Sequence, residues 1–268
     1  MKIEKNEMLF TADCGNTTIT IVVYRENKPL FLARLNTDRR KTSDQYAYDL
    51  KHLLETKNCG TDGFYGAMIS SVVPELSPVL KTAVWDIIGV KALMLDLGVK
   101  TKLDIKCVNR GELGADLVAG AVGAKSKYPM PCLIWDLGTA TKISVLDEKG
   151  AYLGCTISAG INMCIEQLGS GTSLLNPIEI KEYNKSFGNV TFDSIASGTI
   201  VGTAVMLEGL SERIMEDLGY EKENVTVLIT GGLAPIIAKS VRKFTPTFDK
   251  TLINDGLKLI YDFNQGGK

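Results

Sequence analysis

The order of apolar and polar positions divides the chain into short strand-like runs and longer helical ones. Residues 9–23 open as an apolar run, end it at Asp13, turn through Gly15-Asn16-Thr17, and leave as a second apolar run. Residues 133–145 repeat the pattern, with Asp136 closing the first run and Gly138-Thr139 in the turn. Each copy continues through a polar turn, Arg25-Glu26-Asn27-Lys28 in the first and Asp147-Glu148-Lys149-Gly150 in the second, into a further apolar segment. Residues 8–35 therefore read as two or three antiparallel strands. The copies stand nearly half the chain apart, which implies a duplicated domain rather than a solenoid, whose repeats run about 20–50 residues.

Between the copies, Thr42-Ser43-Asp44-Gln45 has the form of a capping box, and Tyr46, Leu50, Leu53 and Leu54 follow at helical spacing. Residues 66–73 read as a buried strand, residues 77–88 as a helix stopped by Gly89, and residues 92–95 as a short strand. Antiparallel strands followed by alternating helix and strand predict an α/β mixed sheet with helices packed on it. Residues 111–124 read as a helix of small residues, suited to close packing between two domains, with Asp116 in its first turn. Tyr128-Pro129-Met130-Pro131 breaks the chain and sets the expected domain boundary, giving 1–128 and 129–268.

After the second hairpin, Gly160-Ile161-Asn162-Met163 leads into a helix with a Gly-Ser-rich exit at residues 169–173, and residues 176–192 are polar and irregular. Residues 194–218 read as one long helix or a kinked pair. Ile200, Val201, Ala204, Leu207, Leu210, Ile214 and Leu218 form its stripe, which reads equally as core or as a face for a partner subunit. Residues 225–230 read as a buried strand entering the Gly231-Gly232 turn, against whose bare backbone a base or ribose can lie.

With 268 residues the chain has room for two domains. A net charge of −1 gives no sign of a basic nucleic-acid surface or a polybasic membrane patch. Apolar runs fall short of the about 20 residues of a membrane span, and the first residues lack the apolar core of a signal peptide, so a cytoplasmic location is expected. The six cysteines contain no C-x-x-C pair, and the lone His52 cannot complete a zinc site with them. Buried, reduced thiols are expected. A single histidine also leaves general-base work to a carboxylate.

The repeated hairpin has a definite chemistry. Glycine and small hydroxyl residues in a tight turn let backbone N–H groups approach phosphate oxygens closely. An acidic residue at the strand end cannot bind phosphate, but it can hold a cation, or a water on that cation, beside the phosphates. Either copy alone reads as an ordinary hairpin with an acidic end. The pair points to a two-sided clamp on a nucleoside triphosphate. Asp116, taken alone, reads more readily as a carboxylate favoured at a helix N-terminus than as a catalyst.

These elements in this order resemble the superfamily of acetate and sugar kinases, heat-shock chaperones and actin, and within it type III pantothenate kinase. Asp13-Cys14-Gly15-Asn16-Thr17 matches that family's opening motif, and Lys41-Thr42-Ser43-Asp44-Gln45-Tyr46 its next segment. Ser70-Ser71-Val72-Val73-Pro74 matches its strand, and Asp136-Leu137-Gly138-Thr139-Ala140-Thr141 its second hairpin. Thr191 before Ser197-Gly198, and Thr230-Gly231-Gly232-Leu233-Ala234, complete the set, which spans residues 9–238.

The resemblance implies duplicated ribonuclease-H-like domains with an ATP cleft between the halves. The implied reaction moves the γ-phosphoryl group of ATP to the primary hydroxyl of pantothenate, the first step towards coenzyme A. Asp116 is implied as general base. Asp13, Cys14, Gly15, Asn16, Thr17, Thr18, Ile19, Thr20 and Thr139 are implied as ATP contacts, with Mg²⁺ accompanying the nucleotide. Asp136 is implied to hold a monovalent cation, K⁺ or NH₄⁺. Gly114, Ala115, Asp116, Leu117, Thr191 and Cys107 are implied to line the substrate pocket, and the family forms homodimers.

The chain departs from the family pattern at several positions. The substrate loop reads Gly114-Ala115-Asp116-Leu117 where the family has Gly-Ala-Asp-Arg, so a fixed cation with five donors is missing. Cys107 and Arg110 stand where the family usually has Tyr and Pro, and Lys142 where it commonly has Thr. Lys142 reads as an outward strand residue, with a replacement cation near the phosphates as the other reading. Losing one charge-assisted anion contact costs about 1.5–3 kcal/mol, about tenfold to a hundredfold in binding. That loss keeps an alternative open: a weakened paralogue acting on another small alcohol, or a nucleotide-binding regulatory or accessory protein.

Overall fold

The computed structural model describes residues 7–106 and 109–265. In chain order the elements are β1 (Met8–Cys14), β2 (Thr18–Arg25), β3 (Lys28–Asn36), α1 (Ser43–Thr56), β4 (Phe64–Ser71), α2 (Leu76–Ile88), β5 (Ala92–Met94) and α3 (Ala115–Lys127). There follow β6 (Cys132–Leu137), β7 (Ala140–Leu146), β8 (Tyr152–Ala159), α4 (Ile161–Gly171), α5 (Thr191–Ala196), α6 (Gly202–Leu218), β9 (Thr226–Thr230), α7 (Ala234–Ile237), β10 (Thr247–Phe248) and α8 (Leu252–Gln265).

One sheet has the order β3-β2-β1-β4-β5, and the other, read from its β8 edge, β8-β7-β6-β9-β10. The first strand of each is antiparallel to the second and parallel to the fourth. Identical strand order in the two halves is the duplication the hairpin repeat predicts, in the ribonuclease-H-like form that the resemblance implies. β1 and β6 are central in their sheets and buried along almost their whole length, so they read as continuous apolar runs rather than alternating ones. In each strand the acidic residue, Asp13 or Asp136, is the one position that is not fully buried.

The predicted capping box is present: the Thr42 hydroxyl accepts from the Gln45 N–H, and the Gln45 side chain accepts from the Thr42 N–H at 2.9 Å. Gly89 ends α2 in the left-handed conformation, φ 68°, which a glycine adopts without strain.

The chain forms two compact units, and their boundary differs from the expected one. The first unit runs to Leu103 and takes in Asn109–Gly123 and the chain from Thr251 onward; the second comprises a short segment from Asp104 and Ala124–Lys250. The break therefore falls inside α3 rather than at residue 128, and α8 belongs to the first unit, not the second. Specific contacts explain the return of α8. Asn254 donates to the Thr11 hydroxyl at 3.0 Å, Tyr24 donates to Asp255 at 2.5 Å, and Tyr261 donates to the Tyr65 carbonyl at 3.2 Å. Leu252, Leu257, Ile260 and Tyr261 form its buried face.

Within the first unit, the small-residue part of α3 packs closely against α8. A Cβ at Gly256 would lie 1.8 Å from the Ala119 carbonyl oxygen, and one at Gly123 would lie 2.3 Å from that of Leu252. The backbones meet where neither helix carries a side chain.

In the second unit, α5 runs into α6 through a π-helical turn at Ser197–Val201, so Thr191–Leu218 is one continuous helical stretch with a π segment in it. Thr191–Leu218 is, against expectation, long and apolar enough to cross a membrane, but 56% of its most apolar stretch is buried within the fold. Its Ser211 hydroxyl accepts from the buried Trp135 indole at 2.9 Å, and buried Glu208 accepts from the Arg242 N–H at 2.6 Å. These are the marks of a core helix.

Candidate active site

In the first unit, β1 delivers Asp13 to the start of the hairpin turn. Its carboxylate accepts from the Ser70 hydroxyl at 2.5 Å, and Ser70 lies opposite it on the neighbouring parallel strand β4. The turn closes through the Gly15 N–H donating to the Thr18 carbonyl at 3.0 Å. Asn16 and Thr17 are exposed at its tip, Thr18 and Thr20 are half-buried, and Cys14 and Ile19 are fully buried. Those two predicted ATP contacts offer backbone only. Burial pushes the Cys14 thiol up to about 11.

A loop after β3 braces the turn. The Thr37 hydroxyl donates to the Gly15 carbonyl at 2.7 Å, and the Thr37 N–H donates to the Thr17 carbonyl at 3.0 Å. From the same loop, Arg39 donates to the Asn16 side chain at 2.8 Å and pairs with Glu75 at 3.4 Å. Arg39 is the residue sequence reasoning missed. Its signal lay in the Asp38-Arg39-Arg40-Lys41 charge run, which reads as an ordinary solvated turn until the fold lays it over the hairpin.

Asp116 stands in the first turn of α3, half-buried, with Oδ1 accepting from the Leu117 N–H at 2.9 Å. A Cβ at Gly114 would lie 2.5 Å from that oxygen and 3.8 Å from Val72 Cγ1. Val72 in turn donates its N–H to the Cys14 carbonyl at 3.0 Å. The fold thus brings the Gly114 and Asp116 loop to the same end of the sheet as the first hairpin. Ala115 is half-buried there, while Leu117 is buried. Leu117 therefore presents its backbone to the loop and not its side chain. Cys107 lies outside the described residues.

The second unit repeats the hairpin with one change. Asp136 and Lys142 face each other across β6 and β7, and Lys142 Nζ is 2.8 Å from Asp136 Oδ2. Both side chains are largely withdrawn from water, at 13% and 14% exposure. Lys142 is not the outward strand residue that alternation along β7 predicts; it is the ion-pair partner of the strand-end aspartate. On its other side Asp136 lies opposite Thr230 of β9. Gly138 and Thr139 are exposed in the turn. Gly160 supports it, donating to the Thr139 carbonyl at 3.2 Å, where a Cβ would meet that oxygen at 2.2 Å. Gly231 (φ 97°) lies equally close to the end of β6, its Cβ position 2.5 Å from the Leu137 carbonyl oxygen.

Thr191, the first residue of α5, lines an open pocket of about 720 Å³ with Leu168, Val190, Ser194, Ile195 and Thr199. Asp13 to Thr20 and Gly114 to Leu117 thus belong to the first unit, and Asp136, Thr139 and Thr191 to the second. Of the cysteines, Cys14, Cys59 and Cys132 are buried as expected, but Cys155 is exposed and Cys164 half-buried. Among the described residues no three His, Cys, Asp or Glu side chains group to hold a metal ion. A single carboxylate such as Asp13 suits Mg²⁺, which keeps several waters and takes other ligands from phosphates. Asp136 does not fit a monovalent cation in the same way, because a lysine ammonium already lies against its Oδ2 at 2.8 Å and a second cation there would meet a like charge.

The family model described as type III pantothenate kinase matches residues 9–213. A type III pantothenate kinase of Finegoldia magna is 36% identical over 259 residues, covering 97% of this chain and 98% of its own. One from Shouchella clausii is 36% identical and covers 96% of this chain and all of its own. Among solved structures, the activator of 2-hydroxyisocaproyl-CoA dehydratase from Clostridium difficile, with bound ADPNP, has a TM-score of 0.56 at 13% identity, covering 97% of this chain and 98% of that one. Component A of (R)-2-hydroxyglutaryl-CoA dehydratase from Acidaminococcus fermentans has a TM-score of 0.55 at 14% identity, covering 98% of this chain and 100% of that one. At such identities the structural likenesses bear on the fold alone.

Proposed function

The chain belongs to the type III pantothenate kinase family, and from that membership we infer that it phosphorylates pantothenate with ATP, the first step towards coenzyme A. The observation that carries the inference is the full-length match to named kinases at 36% identity. Nothing in the fold or the comparisons favours the weakened paralogue.

The roles are those the family resemblance implies, and the chemistry of each residue is consistent with them. The pantothenate hydroxyl oxygen attacks the γ-phosphorus, its O–P bond forms as the bond to the ADP oxygen breaks, and Asp116 takes the hydroxyl proton. Its carboxylate is held for this by the Leu117 N–H, and Gly114 leaves the space it occupies. The exposed tip of the first hairpin, Asn16 and Thr17, offers polar and backbone groups to phosphate, with Thr18 and Thr20 behind it. Thr139 contacts ATP from the second hairpin, and Thr191 contributes to the substrate pocket.

Asp13 would hold Mg²⁺, or a water on it; that ion supplies neutralisation of the phosphate charge when bound. Positioning and electrostatics dominate phosphoryl transfer, so one carboxylate at the nucleophile suffices as the chemical group. A homodimer is what the family resemblance implies.

A coupled assay of ADP release by the purified protein, with and without pantothenate, tests the reading. Pantothenate-dependent release is expected, and its absence while ATP still binds would overturn it.

A further inference from the structure

We propose that Lys142 is a built-in cation of the phosphoryl-transfer site, so that this chain works without a monovalent cation at Asp136. The proposal rests on the kinase reading above. Asp136 and Lys142 are directly opposed in the β6 and β7 register, and their charged atoms are 2.8 Å apart. With both side chains mostly out of water, removal of either partner would leave an uncompensated charge.

The ammonium of lysine has the charge and the N–H donors of NH₄⁺, with one hydrogen replaced by carbon. Tethered to β7, it is present at Asp136 whatever the salt. A second cation drawn to the same carboxylate would meet a like charge in a partly desolvated site, where repulsion is only weakly screened. The pair stands just ahead of the Gly138 and Thr139 turn, so the tethered charge is placed at the second hairpin. The competing account is a strand ion pair that only stabilises the sheet. The two accounts differ in what happens when the lysine is removed and a free cation is supplied.

The test replaces tetramethylammonium chloride by KCl or NH₄Cl at constant ionic strength. Wild-type turnover with pantothenate is expected to stay flat across the series. Lys142→Thr is expected to lose about tenfold to a hundredfold in tetramethylammonium and to recover when KCl or NH₄Cl is added. Thermal unfolding supplies a readout independent of turnover: KCl should raise the melting temperature of Lys142→Thr and leave that of the wild type unchanged.

Activation of the wild type by K⁺ or NH₄⁺ would overturn the proposal, whether or not the variant folds. So would a folded Lys142→Thr that ignores both cations in turnover and melting. If the wild type phosphorylates nothing in any salt, the kinase reading fails separately, and the melting series still decides the fate of the cation claim.

Discussion

Asp116 is the residue proposed to take the hydroxyl proton, and its neighbours show why a substitution there can be clean. Its carboxylate accepts from the next N–H of its own helix, a contact an amide oxygen can also make. Asp116→Asn is therefore expected to leave ATP affinity by calorimetry unchanged while turnover falls about 10²–10⁴-fold, the range of a lost general base. Buried thiols set a second expectation. An unfolded cysteine ionises near 9.0, whereas burial pushes Cys14 up to about 11 and Cys132 up to about 12. The folded state holds these protons longer. Their stabilisation is complete below pH 9.0, the unfolded value, and is lost as pH rises through about 11 and 12. Urea midpoints should fall with rising pH above that value, and the fall should be smaller in Cys132→Ala. At this scale Asp13, Asp116 and Asp136 are legible from strand ends and a helix start. Lys142 is not legible from alternation along β7, because its meaning depends on which residue faces it. Counting outward from a three-residue turn, Gly138-Thr139-Ala140, pairs it with Asp136, so the signal lay in the register and not in the strand.

Most elements are legible because each carries its own punctuation: a capping box at Thr42, a glycine stop at Gly89, acidic ends on the two hairpin strands. What local pattern cannot supply is a helix's partner. The small residues of α3 announce close approach but not to what, and α8, whose apolar face is plain at Leu252, Leu257 and Ile260, takes its place only through the first sheet. β10, two residues long, offers no periodicity to read. The crossing of α3 and α8 yields a direct expectation. In Gly256→Ala the new methyl would lie 1.8 Å from the Ala119 carbonyl oxygen, which is backbone and cannot swing aside. A loss of about 1–3 kcal/mol is expected from forcing the helices apart, read from urea unfolding. Unchanged stability would mean that the helices pack at a greater distance.

For the molecule as a whole, the duplication visible as two hairpins half a chain apart becomes two sheets of identical strand order. The half-chain division misplaces α8, since the chain's last helix returns to the unit of its first strands. Family membership then joins these parts to one reaction, with Leu117 in place of the loop arginine as the feature that most strains the account. The most direct measurement is the mass of the product formed from pantothenate and ATP by the wild type and by Asp116→Asn, side by side. The account predicts phosphopantothenate in amounts equal to ADP from the wild type and almost none from the variant. ADP without phosphopantothenate, or equal product from both proteins, would contradict it.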